Sequence, residues 1–147
     1  MNRRGGNKRR RRPRRRLRTI PGLDITPIVP AGRQLIQGYG DGGFRIGGET
    51  YQGSVLVFSA TTLSWPVEAL QFLTPDSLQP ITAADPAVEI LLIGCGREMV
   101  PLPAGLRRDL SQRGISAEPM DTGAACRTFN VLLSEDRAVA AALIAVE

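Results

Sequence analysis

The chain has 147 residues, 42% of them hydrophobic, and a formal net charge of +5. That charge is unevenly divided, because residues 1–18 hold eleven of the nineteen basic side chains and no acidic one. The remainder holds eight arginines and fourteen carboxylates, a formal charge of −6. The overall basic balance therefore describes a short extension and excludes a basic nucleic-acid-binding body. We predict a disordered arginine-rich tail over residues 1–20 and a single domain over residues 21–147.

Several classes of site are excluded by residue types that the chain lacks. It has no histidine, its only lysine is Lys8, and its only cysteines are Cys95 and Cys126. Nucleophilic sites with an imidazole base, imidazole metal sites and a four-thiolate zinc site are therefore excluded. Catalysis by carboxylates stays open in principle, although no pair of carboxylates stands out by its spacing. We expect no catalytic residue, no metal and no cofactor, and hence a protein that is not an enzyme.

The chain shows no sign of a membrane span or an export signal. No apolar run reaches the roughly 18–20 residues that cross a bilayer, and no apolar signal core follows the arginine run. We therefore expect cytoplasmic residence, where the two cysteines stay reduced.

The first half of the body reads as a β-meander followed by a helix. Short apolar stretches alternate with glycine turns, and those turns require the positive φ angles that glycine adopts readily. Close approach of the glycines to a ligand is the alternative interpretation. Strands are predicted near residues 34–39, 43–46 and 49–58. A short helix is predicted to begin at Ser64-Trp65-Pro66 and to end at Thr74-Pro75, with Trp65 as a core anchor.

The second half alternates strands and helices. Residues 87–93 form a nearly unbroken apolar run, which is typical of a central strand covered by helices on both faces. The elements that follow are a helix over residues 103–113, a strand over 115–119, a helix capped by Asp121 or Thr122 and running to about Ser134, and an alanine-rich strand over 138–146.

A crevice is predicted where the second-half strands end. Gly94-x-Gly96 follows the buried strand as in a dinucleotide-binding turn, but Met99 is not a third small residue and residues 100–103 delay the next helix. In open α/β sheets, ligands bind at the carboxyl ends of strands. Gly94–Gly96 and Met120–Thr122 both lie at such ends, and we expect them to face one shared pocket.

Four side chains complete this candidate pocket. Cys95 and Cys126 are expected to be neighbours, either as buried packing thiols or as a redox or ligand site. Arg127 and Asn130 are placed on the polar side of the second-half helix, where they face solvent or cap a loop, with anion binding as the alternative. The predicted pocket consists of Gly94, Cys95, Gly96, Thr122, Cys126, Arg127 and Asn130.

Three separated motifs carry a resemblance to a known family. Residues 36–46, 90–96 and 120–133 resemble the family of the mitochondrial complex I assembly factor three, its bacterial and archaeal single-domain relatives, and an adipogenesis-associated cytosolic protein. The likeness spans residues 23–147. It implies a three-layer α/β domain with a mixed central sheet and no established catalytic residue. It also implies an assembly or scaffolding role through protein contacts, with complex I or membrane-insertion components as partners, in the cytoplasm or peripherally at the inner membrane.

The arginine-rich tail departs from this family pattern, and two explanations stay open. Its charges would bind an anionic polymer or lipid electrostatically, without reading bases. Alternatively, the gene start is misassigned and the natural start lies near Leu17 or Leu23. Three functions therefore remain in view: a non-enzymatic assembly factor, a small-molecule binder or enzyme that uses the crevice, and nucleic-acid or anionic-surface binding by the tail. The oligomeric state is left open.

Overall fold

A computed structural model describes residues 18–19 and 32–147. The strands are β1 (Arg18–Thr19), β2 (Ile36–Gly40), β3 (Gly43–Ile46), β4 (Glu49–Gln52), β5 (Val55–Val57), β6 (Thr62–Ser64), β7 (Ile90–Gly94), β8 (Ser116–Met120) and β9 (Val139–Leu143). The α-helices are α1 (Gln79–Thr82), α2 (Ala104–Gln112) and α3 (Thr122–Ser134), and two 3₁₀ helices span Leu70–Phe72 and Asp76–Leu78.

The strands form two sheets. The first has the order β1-β2-β3-β4, and all its pairs are antiparallel. The second has the order β6-β5-β9-β7-β8. Strand β7 runs parallel to β8 and β9, whereas β5 runs antiparallel to β6 and β9. The predicted mixed central sheet and N-terminal meander are therefore confirmed.

The five-stranded sheet is the middle of three layers. Along β7, Leu91 and Ile93 pack on one face in a cluster with Leu106 of α2. Leu92 points to the other face, in a cluster with Phe129 of α3 and with side chains of the four-stranded sheet. Side chains on successive strand residues point to opposite faces, so an apolar run in β7 supplies both clusters at once. This is the buried central strand that the sequence predicted.

The strand predicted over residues 49–58 is wrong as a single element. It is divided into β4 and β5, which belong to different sheets. Gly53 lies between them with φ +82°, a left-handed conformation that turns the chain. Strand β6, which the sequence did not indicate, then pairs antiparallel with β5.

The helix predicted from Ser64-Trp65-Pro66 to Thr74 is also wrong. Ser64 ends β6, and the helical structure before Thr74 is limited to the 3₁₀ helix Leu70–Phe72. Trp65 explains the difference, because its backbone N–H donates to the Ser54 carbonyl at 2.9 Å and its Nε1–H donates to the Ser77 carbonyl at 2.8 Å. These bonds hold the chain extended through Trp65. The side chain is only 4% exposed, which confirms its predicted place in the core.

Other element boundaries differ by a few residues from the prediction. Strand β7 begins at Ile90, and β9 ends at Leu143. Helix α3 begins as expected, because the Asp121 Oδ1 atom accepts a hydrogen bond from the Ala124 N–H at 2.9 Å. In the described part of the chain, none of the helices has the length and apolar character that crossing a membrane requires.

The predicted disordered tail contains one short element. Arg18–Thr19 forms β1 and pairs with β2, with Arg18 opposite Tyr39. The remaining expectations for residues 1–17 and for the possible start sites near Leu17 and Leu23 lie outside the described residues.

Candidate functional site

The two segments expected to share a crevice do meet at the carboxyl edge of the central sheet. Strand β7 ends at Gly94, and its neighbour β8 ends at Met120. Immediately beyond β7, the Cys95 N–H donates to the Met120 carbonyl at 2.8 Å. The residues that follow both strands therefore lie side by side.

Thr122 fills the space between these segments. It is fully buried, and its N–H donates to the Gly96 carbonyl at 2.8 Å. Its Oγ1 hydroxyl donates to the Ile144 carbonyl at 2.8 Å and accepts from the Gly96 N–H at 3.0 Å. Because these bonds use both its backbone donor and its hydroxyl, Thr122 ties three segments together and has no free donor to offer a ligand.

The two glycines of the predicted turn serve this packing. A Cβ atom at Gly94 would lie 3.0 Å from Cδ2 of Leu143 and 3.0 Å from both Cα and Oγ1 of Thr122. Gly96 has φ +106°, which side chains rarely permit. Gly94 thus allows close approach of the chain to itself, where a dinucleotide turn would allow close approach of a phosphate, and Gly96 supplies the positive φ angle of the turn.

The two cysteines are not neighbours. Cys95 belongs to the cluster on the α2 face of the sheet, and Cys126 belongs to the cluster on the α3 face. The expected pairing fails because residue 95 continues the β7 alternation toward α2, while α3 covers the opposite face. The Cys95 sulfur lies 3.5 Å from the Val100 carbonyl oxygen and 3.6 Å from that of Ile93.

Cys126 is a packing thiol. It is fully buried, and burial raises its pKa far above the ordinary value, an effect that the nearby Arg127 guanidinium only partly offsets and Asp121 reinforces. A thiol that stays protonated at neutral pH is a poor nucleophile and a poor metal ligand.

Asn130 neither faces solvent nor caps a loop, because it is buried and bonds to a strand. It is 6% exposed, and its amide forms two hydrogen bonds with the backbone of Ile36 in β2. The Ile36 N–H donates to Oδ1 at 2.9 Å, and Nδ2–H donates to the Ile36 carbonyl at 2.8 Å. The side chain thus acts as a substitute for a neighbouring strand and joins α3 to the four-stranded sheet. Arg127, one turn earlier, is exposed as predicted.

Outside Thr122, the carboxyl edge leaves a small cleft of about 230 Å³. Its lining residues are Tyr39, Gly96, Arg97, Asp121, Gly123, Val146 and Glu147. A Cβ atom at Gly123 would lie 2.5 Å from the Tyr39 hydroxyl, so the tyrosine covers the first turn of α3 closely. Among the described residues, no group of three His, Cys, Asp or Glu side chains could hold a metal ion. Of the residues of the predicted pocket, only Gly96 lines this cleft.

A larger groove, of about 600 Å³, lies at the opposite end of the central strands, where β7 and β9 begin. Its lining consists of Arg33, Phe58, Ser59, Ala60, Thr61, Leu63, Pro80, Ala84, Asp85, Pro86, Ala87, Val88, Asp136, Arg137, Ala138 and Val139. We call this the β6 groove, because β6 forms one of its sides. Sequence reasoning missed it, since its walls come from four separate parts of the chain and no local motif marks them.

Comparisons with known proteins identify relatives for most of this fold. The family model described as "Protein of unknown function (DUF498/DUF598)" matches residues 36–144. An uncharacterised protein of Rhodobacter capsulatus is 40% identical over 114 residues, which are 78% of this chain and 86% of that protein. NADH dehydrogenase [ubiquinone] 1 alpha subcomplex assembly factor 3 of Danio rerio is 38% identical over 110 residues, which are 75% of this chain and 63% of that factor. The chain therefore matches about three fifths of the animal protein's length.

Solved structures agree with the same fold. A Bartonella henselae protein described as an outer membrane protein is 42% identical, with a TM-score of 0.73 over 80% of this chain and 98% of that one. A Bordetella pertussis protein described as an Mth938-like domain is 28% identical, with a TM-score of 0.68 over 76% of this chain and 85% of that one. The resemblance predicted from the three motifs is confirmed, and the chain belongs to the DUF498/DUF598 family.

Proposed function

We propose that this chain is a non-catalytic assembly factor that helps to build a membrane-bound NADH dehydrogenase through contacts with protein partners. The proposal is supported by the relatives that carry the name of an assembly factor, at 38% identity in the Danio rerio protein. The matched region is the folded body, so the role is assigned to that body and not to the arginine-rich tail.

One structural observation supports a role without catalysis. At the carboxyl edge of the sheet, where α/β proteins bind their ligands, Thr122 occupies the space and directs its hydroxyl to Ile144 and Gly96. A working active site in this position needs unpaired polar groups aimed into a cavity. The outer cleft of about 230 Å³ is smaller than the ~300–1,000 Å³ typical of small-molecule sites. The crevice hypothesis is therefore supported less well than an assembly role.

The proposal is tested by deleting the gene in the organism that carries it and restoring it on a plasmid. The expected result is a lower amount of assembled NADH dehydrogenase, seen on native gels and in NADH:ubiquinone oxidoreductase activity of the membranes, with recovery by the full chain. In parallel, the tagged full chain is purified from detergent-solubilised membranes and its partners are identified by mass spectrometry. Enrichment of NADH dehydrogenase subunits over an untagged strain is expected.

Variants at the carboxyl edge of the sheet distinguish an assembly role from a catalytic one. Cys95→Ala removes the thiol directly after β7, and Arg97→Ala removes a guanidinium that lines the outer cleft; neither side chain is bonded to Thr122. Because the proposed role does not use their chemistry, both variants should restore the enzyme complex as well as the parent does. A folded variant that loses function here, or a deletion strain with normal NADH dehydrogenase, would contradict the proposal.

A further inference from the structure

The two edge strands of the central sheet, β8 and β6, are protected to different degrees against pairing with another chain. Edge strand β8 contains Pro119, which has no N–H to donate, and the charged Glu118 beside it. Proline and charge are common means of preventing an edge strand from pairing with another chain. Edge strand β6 reads Thr62-Leu63-Ser64 and has neither. Of the two edges, β6 is the one open to an additional strand.

The backbone groups that β6 offers can be assigned from its pairing with β5. The Phe58 N–H donates to the Thr61 carbonyl at 2.8 Å, and the Trp65 N–H donates to the Ser54 carbonyl at 2.9 Å. Alternate residues of an antiparallel strand direct their backbone groups to the same side, so Thr62 and Ser64 direct theirs away from β5. In the described part of the chain, no hydrogen bond reaches these outward N–H and C=O groups.

The β6 groove begins directly beside this open edge. Leu63 lies on β6, lines the groove and is 43% exposed. Phe58, Pro80, Ala84 and Val88 add further apolar surface. The groove has a volume of about 600 Å³, which is enough to receive side chains of a bound segment. A strand added to β6 would therefore place alternate side chains into an apolar groove.

The charges around the groove favour an acidic occupant at one position. Arg33 is already neutralised by Asp136, with Nη2 and Oδ1 2.8 Å apart. Arg137 also lines the groove, is exposed, and has no ion pair among the described residues. A carboxylate on the occupant would complement it, whereas Asp85 on the same rim disfavours a wholly acidic one.

We propose that β6 and its groove bind an extended segment of a partner protein by strand addition. Backbone bonds to Thr62 and Ser64 would provide affinity, an apolar side chain in the groove would provide selectivity, and one acidic side chain would face Arg137. The proposal rests on the proposed function only in taking the partner to be a protein, and peptide binding can be measured without any assembly assay.

The test uses the full chain as bait for a phage-displayed library of random linear peptides. Enriched peptides are expected to alternate apolar and polar residues and to contain Asp or Glu. The variant Ser64→Pro removes one outward N–H, and Ala87→Trp fills the groove at an exposed alanine. Each should weaken binding of an enriched peptide about tenfold or more, measured by fluorescence polarisation.

Two matched variants control for the substitutions themselves. Thr50→Pro removes an outward N–H from β4, an edge strand of the four-stranded sheet. The Gly53 N–H donates to the Gly42 carbonyl, so the backbone groups of residues 50 and 52 face away from β3. Ala83→Trp changes an exposed alanine that does not line the groove. Both should bind within about twofold of the parent. Circular dichroism and thermal unfolding confirm that all four variants are folded.

Peptide-induced shifts of the Thr62 and Ser64 amide signals in an NMR titration would support the proposal. No enriched peptide, or enriched peptides that bind folded Ser64→Pro and Ala87→Trp as well as the parent, would overturn it. Self-association of the parent that Ser64→Pro abolishes would also overturn it, in favour of a second copy as the occupant. If peptide binding fails while the deletion strain still lacks NADH dehydrogenase, the assembly role stands and only the strand-addition site is rejected.

Discussion

Asn130 is the side chain whose loss should damage the fold most without removing apolar packing. Its amide replaces a neighbouring strand for Ile36, whose backbone N–H and C=O both bond to it at 2.9 and 2.8 Å. Strand β1 pairs with β2 only at Gly38 and Tyr39, so in the described residues Asn130 is what satisfies the outward groups of Ile36. Replacement by alanine, Asn130→Ala, leaves both groups unsatisfied in a buried place.

The size of the effect follows from these two groups. A buried backbone donor or acceptor left without a partner costs about 1–3 kcal/mol, and some water entry into the space left by the amide lowers that amount. We expect Asn130→Ala to lower the free energy of unfolding by about 3 kcal/mol. Because domains are stable by only about 5–15 kcal/mol, this is a large fraction of the total.

Equilibrium urea denaturation of the full chain, followed by circular dichroism, measures this loss. Arg127→Ala is the control, since that side chain lies on the same helix but is exposed, and it should change stability by less than about 0.5 kcal/mol. A loss below about 1 kcal/mol for Asn130→Ala would refute the reasoning, because it would mean that the two bonds do not join α3 to the four-stranded sheet.

Further predictions concern the carboxyl edge of the sheet. Thr122→Val removes the two hydrogen bonds of the hydroxyl, to the Ile144 carbonyl and from the Gly96 N–H, at nearly constant volume, and denaturation should show a loss of about 2 kcal/mol. Gly94→Ala introduces a Cβ atom 3.0 Å from its neighbours and should destabilise by about 1–3 kcal/mol, whereas Gly105→Ala, in open space within α2, should stabilise by about 0.5–1 kcal/mol. Cys126 should resist iodoacetamide in the native chain at pH 8 and react after unfolding, because burial raises its pKa. Mass spectrometry of the treated protein measures the alkylation, and modification of Cys126 in the native chain would contradict this prediction.

The second-half elements were predictable because their signals are local. The apolar run that includes β7, the leucines at helical spacing in α2 and the cap at Asp121 each act within a few residues. Close neighbours in sequence also determine the tight turn at Gly42, where φ is +77°. The three motifs identified the family for the same reason, since each is a continuous segment.

The first half was harder because its elements are decided by distant partners. Whether residues 49–58 form one strand or two depends on Gly53 and on β9, with which β5 pairs. The chain remains extended at Trp65 because Trp65 donates hydrogen bonds to the carbonyls of Ser54 and Ser77. These bonds outweigh the preference of Pro66 for the first turn of a helix. No local pattern carries that information.

The candidate site shows most clearly which features the sequence predicts and which depend on the tertiary structure. The sequence by itself indicated that Gly94–Gly96 and Met120–Thr122 follow two consecutive strands of a β/α alternation, and consecutive strands are usually neighbours in a sheet. Only the tertiary structure decided that Thr122 fills the crevice, that Cys95 and Cys126 lie on opposite faces, and that Asn130 is buried against a residue 94 positions away. The physical reason is that a side chain's partners are determined by which layer covers it, and a layer is assembled from segments far apart in the chain.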